Sequence, residues 1–390
     1  MAADPVTAGS RGRRTRLPAV TGLRAVAALS VVFGHFGRQA LPHAALGYLE
    51  HAIYWVDVFF VLSGFLLGYV STTDRGLTRP PRQFLVARLA RLYPAYLLGL
   101  AMALFFFVHH APTGGTLTAH AKTGVIVVAS LLMLQSWVPN GQGWNDPAWS
   151  LSAELFFYVV LALVVTWLWP RTTTRQRLLG AGLLSLVLTG IIAAGLHDAS
   201  TVRLTYVARL PLLRVGPFLF AAAAGASYDR WRHRLPIGAT MTGLQLLLSA
   251  ATVAAVLAFD GENALGHLLS SIAALALIAA LATGDGLVSM FLDSPPMRVL
   301  GEASYGVYIY QVGFFAIAAE VLGHQADVGA DFWVTMALLV GLAIASARWF
   351  EPTARGVIER RAGLRRSPGP APVADSGAVA LAGEPAVDGR

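Results

Sequence analysis

The chain has 390 residues, 56% of them hydrophobic and only 13% charged, about half the charged fraction of a soluble domain. Apolar runs near the ~20 residues needed to cross a bilayer recur from end to end, which excludes a soluble protein, and they are continuous rather than alternating, which argues against an outer-membrane β-barrel. The lack of cysteine excludes disulfides, thiolate metal sites and a cysteine nucleophile, and the net charge of +8 sits in short loops and tails, where it reads as membrane topology rather than nucleic-acid binding.

Residues 1–16 are polar and basic (Arg11, Arg13, Arg14, Arg16) and lack a cleavable-signal layout, so the first apolar helix is expected to be retained with a cytoplasmic N-terminus. Eleven apolar runs follow, at 17–37, 52–72, 89–110, 123–138, 149–169, 178–196, 207–227, 237–258, 264–284, 303–323 and 332–350. If all eleven crossed, the arginines of 171–177, of 229–234 and of the tail (Arg360, Arg361, Arg365, Arg366) would lie outside. If 123–138 does not cross, every one of them falls inside. The sequence therefore predicts an all-α, polytopic transmembrane helical bundle of about ten spanning helices, with a re-entrant or outer-surface helix near 123–138. The expected layout is a cytoplasmic basic tail (1–16), a membrane domain (17–355) and a cytoplasmic disordered tail (356–390), in the cell membrane with both termini cytoplasmic.

Several ionisable groups fall inside these runs, where they are costly unless they face a cavity or a partner. Arg24 and His35 are eleven residues apart, about three helical turns, so they share one face of the first helix with an axial separation of roughly 16 Å. An imidazole suits general-base work at neutral pH. Asp57 opens the second span from the outside, where it either faces a helix N-terminus or orients His35. The Ser63–Gly64 pair reads as a close helix-packing point rather than a nucleophile.

Arg88 and Arg91 share a face at the inner start of the third span, as topological anchors or as a clamp for an anionic group, with Arg24 as a third arm. Ser150 and Glu154 share a face at the outer start of the next crossing, and depth matching places Glu154 near His35. Ser304, Tyr308 and Gln311 share a face of the ninth crossing. Arg214 is deep in its span and needs an acid or a polar cavity. No His-Glu-x-x-His or similar cluster implies a metal.

Six segments in order carry a resemblance: the Arg24–His35 pairing, FFVLSGFLLG, RLARLYP, WSLSAELFFY, LGEASYGVYIY and the closing Glu351-Pro352. Over residues 17–355 the chain resembles the membrane acyltransferase-3 family, multi-spanning O-acyltransferases that modify cell-envelope glycans, exopolysaccharides, Nod factors and macrolides. The resemblance implies ten helices, cytoplasmic acyl-CoA as co-substrate with no resident cofactor, and transfer of a short acyl group to a hydroxyl, usually on a sugar. It carries over Arg24 with His35, Arg88 with Arg91, and Ser152 with Glu154. Many relatives have histidine where this chain has Gln311, which leaves Gln311 at most a hydrogen bond to substrate.

The two lines combine into one expectation. Arg24, Arg88 and Arg91 hold the CoA phosphates, and His35 acts as the base on a glycan or macrolide hydroxyl. Glu154 or Asp57 fixes the His35 tautomer, and Ser152, Tyr308 or a backbone amide stabilises the oxyanion. The partners are then the lipid bilayer, acyl-CoA and a hydroxylated acceptor, with no nucleic acid. The alternative is a membrane transporter of a glycosylated or acylated metabolite.

Overall fold

A proline at its first position, where a missing N–H is harmless, opens helix α1 (Pro18–Phe36), and the Gly37 amide closes it on the Phe33 carbonyl at 2.7 Å. The computed structural model describes residues 17–41, 51, 53–110, 117–139, 144–196, 206–259 and 261–364. The expectations for the basic stretch 1–16 and for the tail from 365 onwards lie outside these residues.

After α1 come α2 (Tyr54–Ser71), α3 (Pro81–His110), α4 (Leu117–Leu131) and α5 (Trp149–Leu163). A π-turn (Val164–Leu168) and a 3-10 turn (Trp169–Arg171) extend α5. The remaining helices are α6 (Thr174–Leu196), α7 (Pro211–Trp231), α8 (Gly238–Leu257), α9 (Ala264–Leu281), the short α10 (Leu287–Leu292), α11 (Pro295–Leu322), α12 (Gly329–Ala345) and α13 (Glu351–Arg361). A π-turn at Ser346–Phe350 joins α12 to α13, so Pro352 lies in the first turn of a continuing helix instead of ending it. A two-residue ribbon (Thr72–Thr73 with Gly76–Leu77) is the only β-pairing among the described residues.

Among the described residues nine helices are long and apolar enough to cross a membrane. Helix α7 is similarly long but carries Arg214, Asp229 and Arg230. The 15-residue α4 spans only about 22 Å, short of a ~30 Å hydrocarbon core. Its end meets the middle of α3, where Tyr93 and Tyr96 donate to the Leu131 and Ser130 carbonyls. The chain then turns at Met133 (φ 54°), and Ser136 returns to the start of α5, its hydroxyl donating to the Trp149 carbonyl at 2.6 Å. This helix–turn–return is the predicted non-crossing segment, built as a hairpin packed into the bundle.

Helix α2 is the hub: 78% of its span is buried, against 17% for α6, whose Leu179, Leu183 and Leu186 face outward as a lipid-facing helix requires. Small residues let α2 and α7 touch backbone to backbone. A Cβ on Gly68 would lie 1.9 Å from the Ala222 carbonyl oxygen, and one on Gly64 2.3 Å from that of Phe218. The packing reading of Ser63–Gly64 thus holds for the glycine.

Candidate active site

Helices α1, α2, α3, α5 and α11 and the α12–α13 junction enclose a cavity of about 580 Å³. It begins near Leu17, Thr21 and Glu302, at the end of the bundle where α1 starts, and runs inward to Ser150 and Tyr308. Arg24, Arg88 and Arg91 all line it. The i, i+3 spacing of Arg88 and Arg91 turns both to this wall, and α1 supplies Arg24 from the facing side. Among the described residues none of these three guanidinium groups has a carboxylate within ion-pair distance, although Glu154 and Glu351 share the cavity. Arg88 is steadied by the Phe84 ring, 5.7 Å from its guanidinium carbon. Three guanidinium groups without a salt bridge around one space have the chemistry to bind a polyanion.

Glu154 faces the cavity from α5. Its Oε1 accepts hydrogen bonds from Ser63 on α2 at 2.7 Å and from Tyr158, one turn along its own helix, at 2.5 Å. Ser63, which the sequence marks only as a packing point, lines the cavity. At the deep end the Ser150 and Tyr308 hydroxyls lie 2.8 Å apart and 3.1 and 2.9 Å from the Pro147 carbonyl oxygen, so two protons serve three oxygen–oxygen contacts. The Phe59 ring packs edge-on against Tyr308. Ser152, two residues and about 200° further round α5, points away from the cavity; its Oγ accepts from the Ser136 amide. The expected oxyanion role of Ser152 therefore has no geometric support, and Ser150 is the serine on the cavity wall.

His35, at the penultimate position of α1, is exposed and does not line the cavity. Its Nδ1 lies 2.9 Å from Gln311 Oε1 on α11, and Gln311 Nε2 donates to the Tyr308 carbonyl at 2.7 Å. Tyr308 thus meets the cavity through its hydroxyl and His35 through its backbone and Gln311. The expected partners of His35 are elsewhere: Glu154 is bound to Ser63 and Tyr158, and Asp57 to other groups. Depth matching by residue count misplaced Glu154 because α5 starts inside the bundle, beneath the α4 hairpin, and not at the outer edge.

Asp57 is buried between Arg214 of α7, at 2.9 Å, and His267 of α9, at 2.7 Å. His267 Nε2 in turn lies 2.9 Å from Glu262 in the loop before α9. The Tyr54 ring packs on His267 with centroids 4.7 Å apart. Burial pushes the Glu262 carboxyl up, but the His267 hydrogen bond and the positive charges of His267, Arg214 and Arg209 together hold it below the usual carboxylate value. The acid required by Arg214 is therefore Asp57, so Asp57 belongs to a helix-locking network and not to His35. Besides Arg214, the sequence signal for it is His267, a lone imidazole in an apolar helix five residues after Glu262. Arg209 pairs with Asp146 at 2.6 Å and lies over the Trp149 ring.

The sequence profile of the acyltransferase-3 family, described as an acyltransferase domain, matches residues 17–350. The chain is 35% identical over 163 residues to the acyltransferase MdmB of Streptomyces mycarofaciens, covering 39% of this chain and 40% of that one. It is 28% identical over 313 residues to the O-acetyltransferase OatA of Staphylococcus aureus (75% and 50% covered). With the peptidoglycan O-acetyltransferase OatA of Listeria monocytogenes it shares 24% over 330 residues (80% and 51% covered). The chain thus spans about half the length of these relatives or less. No solved structure matches it.

Proposed function

We propose, because this chain belongs to the acyltransferase-3 family, that it is a multi-pass membrane O-acyltransferase. It moves a short acyl group from cytoplasmic acyl-CoA to a hydroxyl of a glycan or glycosylated natural product, with His35 as general base. The observation that carries the donor assignment is the set of three arginines without a salt bridge among the described residues, Arg24, Arg88 and Arg91, on one 580 Å³ cavity. CoA is a polyphosphate on a long thin arm, and guanidinium forks suit phosphate oxygens. The positive-inside charge pattern supports a cytoplasmic mouth for this cavity and cytoplasmic termini in the cell membrane.

The arm passes Glu154 and Ser63 towards Tyr308, beyond which lie Gln311 and His35. His35 Nε2 takes the proton of the acceptor hydroxyl as its oxygen bonds to the thioester carbonyl carbon. The C–S bond then breaks, and the proton passes to the departing CoA thiolate. The cavity hydroxyls of Ser150 and Tyr308 are candidate donors for the oxyanion, and since each has one proton, the one that serves gives up its bond to the Pro147 carbonyl. Acyl-CoA is consumed as a co-substrate, and no resident cofactor is required.

Among acceptors, a cell-envelope glycan is favoured over a macrolide, because the two O-acetyltransferase relatives align with 75% and 80% of the chain. That all three relatives are named as acyltransferases favours catalysis over transport. The test is thermal shift of the detergent-purified protein with acetyl-CoA, followed by transfer of radiolabelled acetyl to an N-acetylmuramyl disaccharide or to a glycosylated macrolide. Stabilisation of wild type and His35→Ala but not of Arg24→Ala, with transfer lost in His35→Ala, is the expected pattern. A well-folded wild type that acetyl-CoA does not stabilise overturns the donor assignment.

A further inference from the structure

His35 has two ring nitrogens, and only a bare one can take a proton. We infer that Gln311 is the positioning residue that fixes the His35 tautomer, holding the proton on Nδ1 and leaving Nε2 bare towards the acceptor. This inference rests on the reading of His35 as general base.

The orientation of one buried carboxamide decides the tautomer. Gln311 is fully buried. One end of its amide lies 2.7 Å from the Tyr308 carbonyl oxygen, and a carbonyl only accepts, so that end is the NH₂. The other end, facing His35 Nδ1 at 2.9 Å, is then the oxygen, which also only accepts. A hydrogen bond there requires Nδ1 to carry the proton. In the neutral ring Nε2 is then the lone-pair nitrogen. Nε2 makes no hydrogen bond among the described residues, and His35 is exposed, so a hydroxyl has access to it.

The same hydrogen-bond chain starts from Tyr308, whose hydroxyl lines the deep end of the arginine-lined cavity. The tautomer of the base is therefore set by a backbone carbonyl of a helix that also walls the donor site. No carboxylate lies in this chain. The two charges that act on the His35 ring, Asp146 and Arg209, are bound to each other at 2.6 Å.

The test needs no substrate for its first arm. ¹⁵N NMR of histidine-labelled wild type in detergent, with His35 assigned by signal loss in His35→Gln, is expected to show a neutral ring protonated at Nδ1. A ring protonated at Nε2 overturns the inference. The second arm compares acetyl transfer from acetyl-CoA, with whichever of the two acceptors above is used, in Gln311→Leu and Gln311→His. Leucine removes both hydrogen bonds and is expected to lower kcat at least about tenfold at unchanged KM for acetyl-CoA. Histidine has one donor and one acceptor nitrogen and is expected to restore most of that loss. If Gln311→Leu does not fold, the wild-type NMR arm still decides. Loss of transfer in His35→Ala together with full kcat in Gln311→Leu removes Gln311 from the mechanism and leaves His35 in it. Full transfer in His35→Ala instead removes the general-base reading itself.

Discussion

The Asp57 carboxylate lies 2.9 Å from the Arg214 guanidinium, and both side chains are almost wholly buried, 4% and 3% exposed. Each comes from a helix of the central α2–α7 pair, so the ion pair locks the closest packing in the bundle. Removing one partner leaves an uncompensated buried charge, which costs about 3–5 kcal/mol. Asp57→Ala is therefore expected to lower the thermal unfolding midpoint sharply, while Asp57→Leu combined with Arg214→Met recovers most of the loss. Unfolding in detergent, followed by intrinsic fluorescence, checks this. An unchanged midpoint in Asp57→Ala contradicts the structural role.

The small-residue contact beneath that pair gives a steric prediction. A Cβ on Gly68 lies 1.9 Å from a backbone oxygen of α7, which no rotamer change relieves. Gly68→Val is expected to prevent α2 and α7 from docking and to abolish recovery of monodisperse protein. Gly341→Ala on α12, where a Cβ meets nothing within 4 Å, is the matched control and is expected to purify normally.

Acid should loosen the loop before α9 through Glu262. The Glu262 carboxyl titrates below its ordinary value of 4.5 in the folded protein. Its contribution to stability is complete above about pH 4.5 and is lost as pH falls from there through the depressed folded value. Between about pH 6 and about pH 3.5, the unfolding midpoint of wild type is expected to fall more steeply than that of Glu262→Gln, which lacks the titrating group. Parallel slopes in the two proteins count against this linkage.

Donor binding and chemistry should separate by residue. Arg24→Ala and Arg91→Ala remove phosphate contacts and are expected to raise KM for acetyl-CoA at least about tenfold, as the loss of a charge-assisted hydrogen bond worth ~1.5–3 kcal/mol implies. His35→Ala is expected to leave donor binding intact and abolish transfer. Steady-state kinetics beside equilibrium acetyl-CoA binding distinguishes the two classes. Loss of binding in His35→Ala breaks the division.

Glu154 should behave as a cavity acceptor rather than as the partner of His35. Glu154→Gln retains an oxygen for the Ser63 and Tyr158 hydroxyls but removes a negative charge beside three arginines. It is expected to fold, to bind acetyl-CoA at least as well as wild type, and to leave the ¹⁵N signature of His35 unchanged. A changed His35 signature ties the two residues together after all.

The linear chain determined what depends on local chemistry. Hydropathy and the placement of arginines predicted an all-helical membrane bundle and a non-crossing segment near 123–138, and the α4 hairpin is that segment. Helical spacing put Arg88 with Arg91 and Ser150 with Glu154 on shared faces, and all four line one cavity. Tertiary packing decided which faces meet. Asp57 pairs with Arg214 and His267, not with His35, because α2 is buried against α7 and α9 at that level. Ser152 lost its expected place to Ser150 because two residues of helix turn a side chain about 200°. Gln311 reached His35 because α11 lies beside α1. The physical reason is common to all three: residue count fixes position along a helix axis, but its rotation, its tilt and the depth at which it starts are set by long-range contacts with other helices.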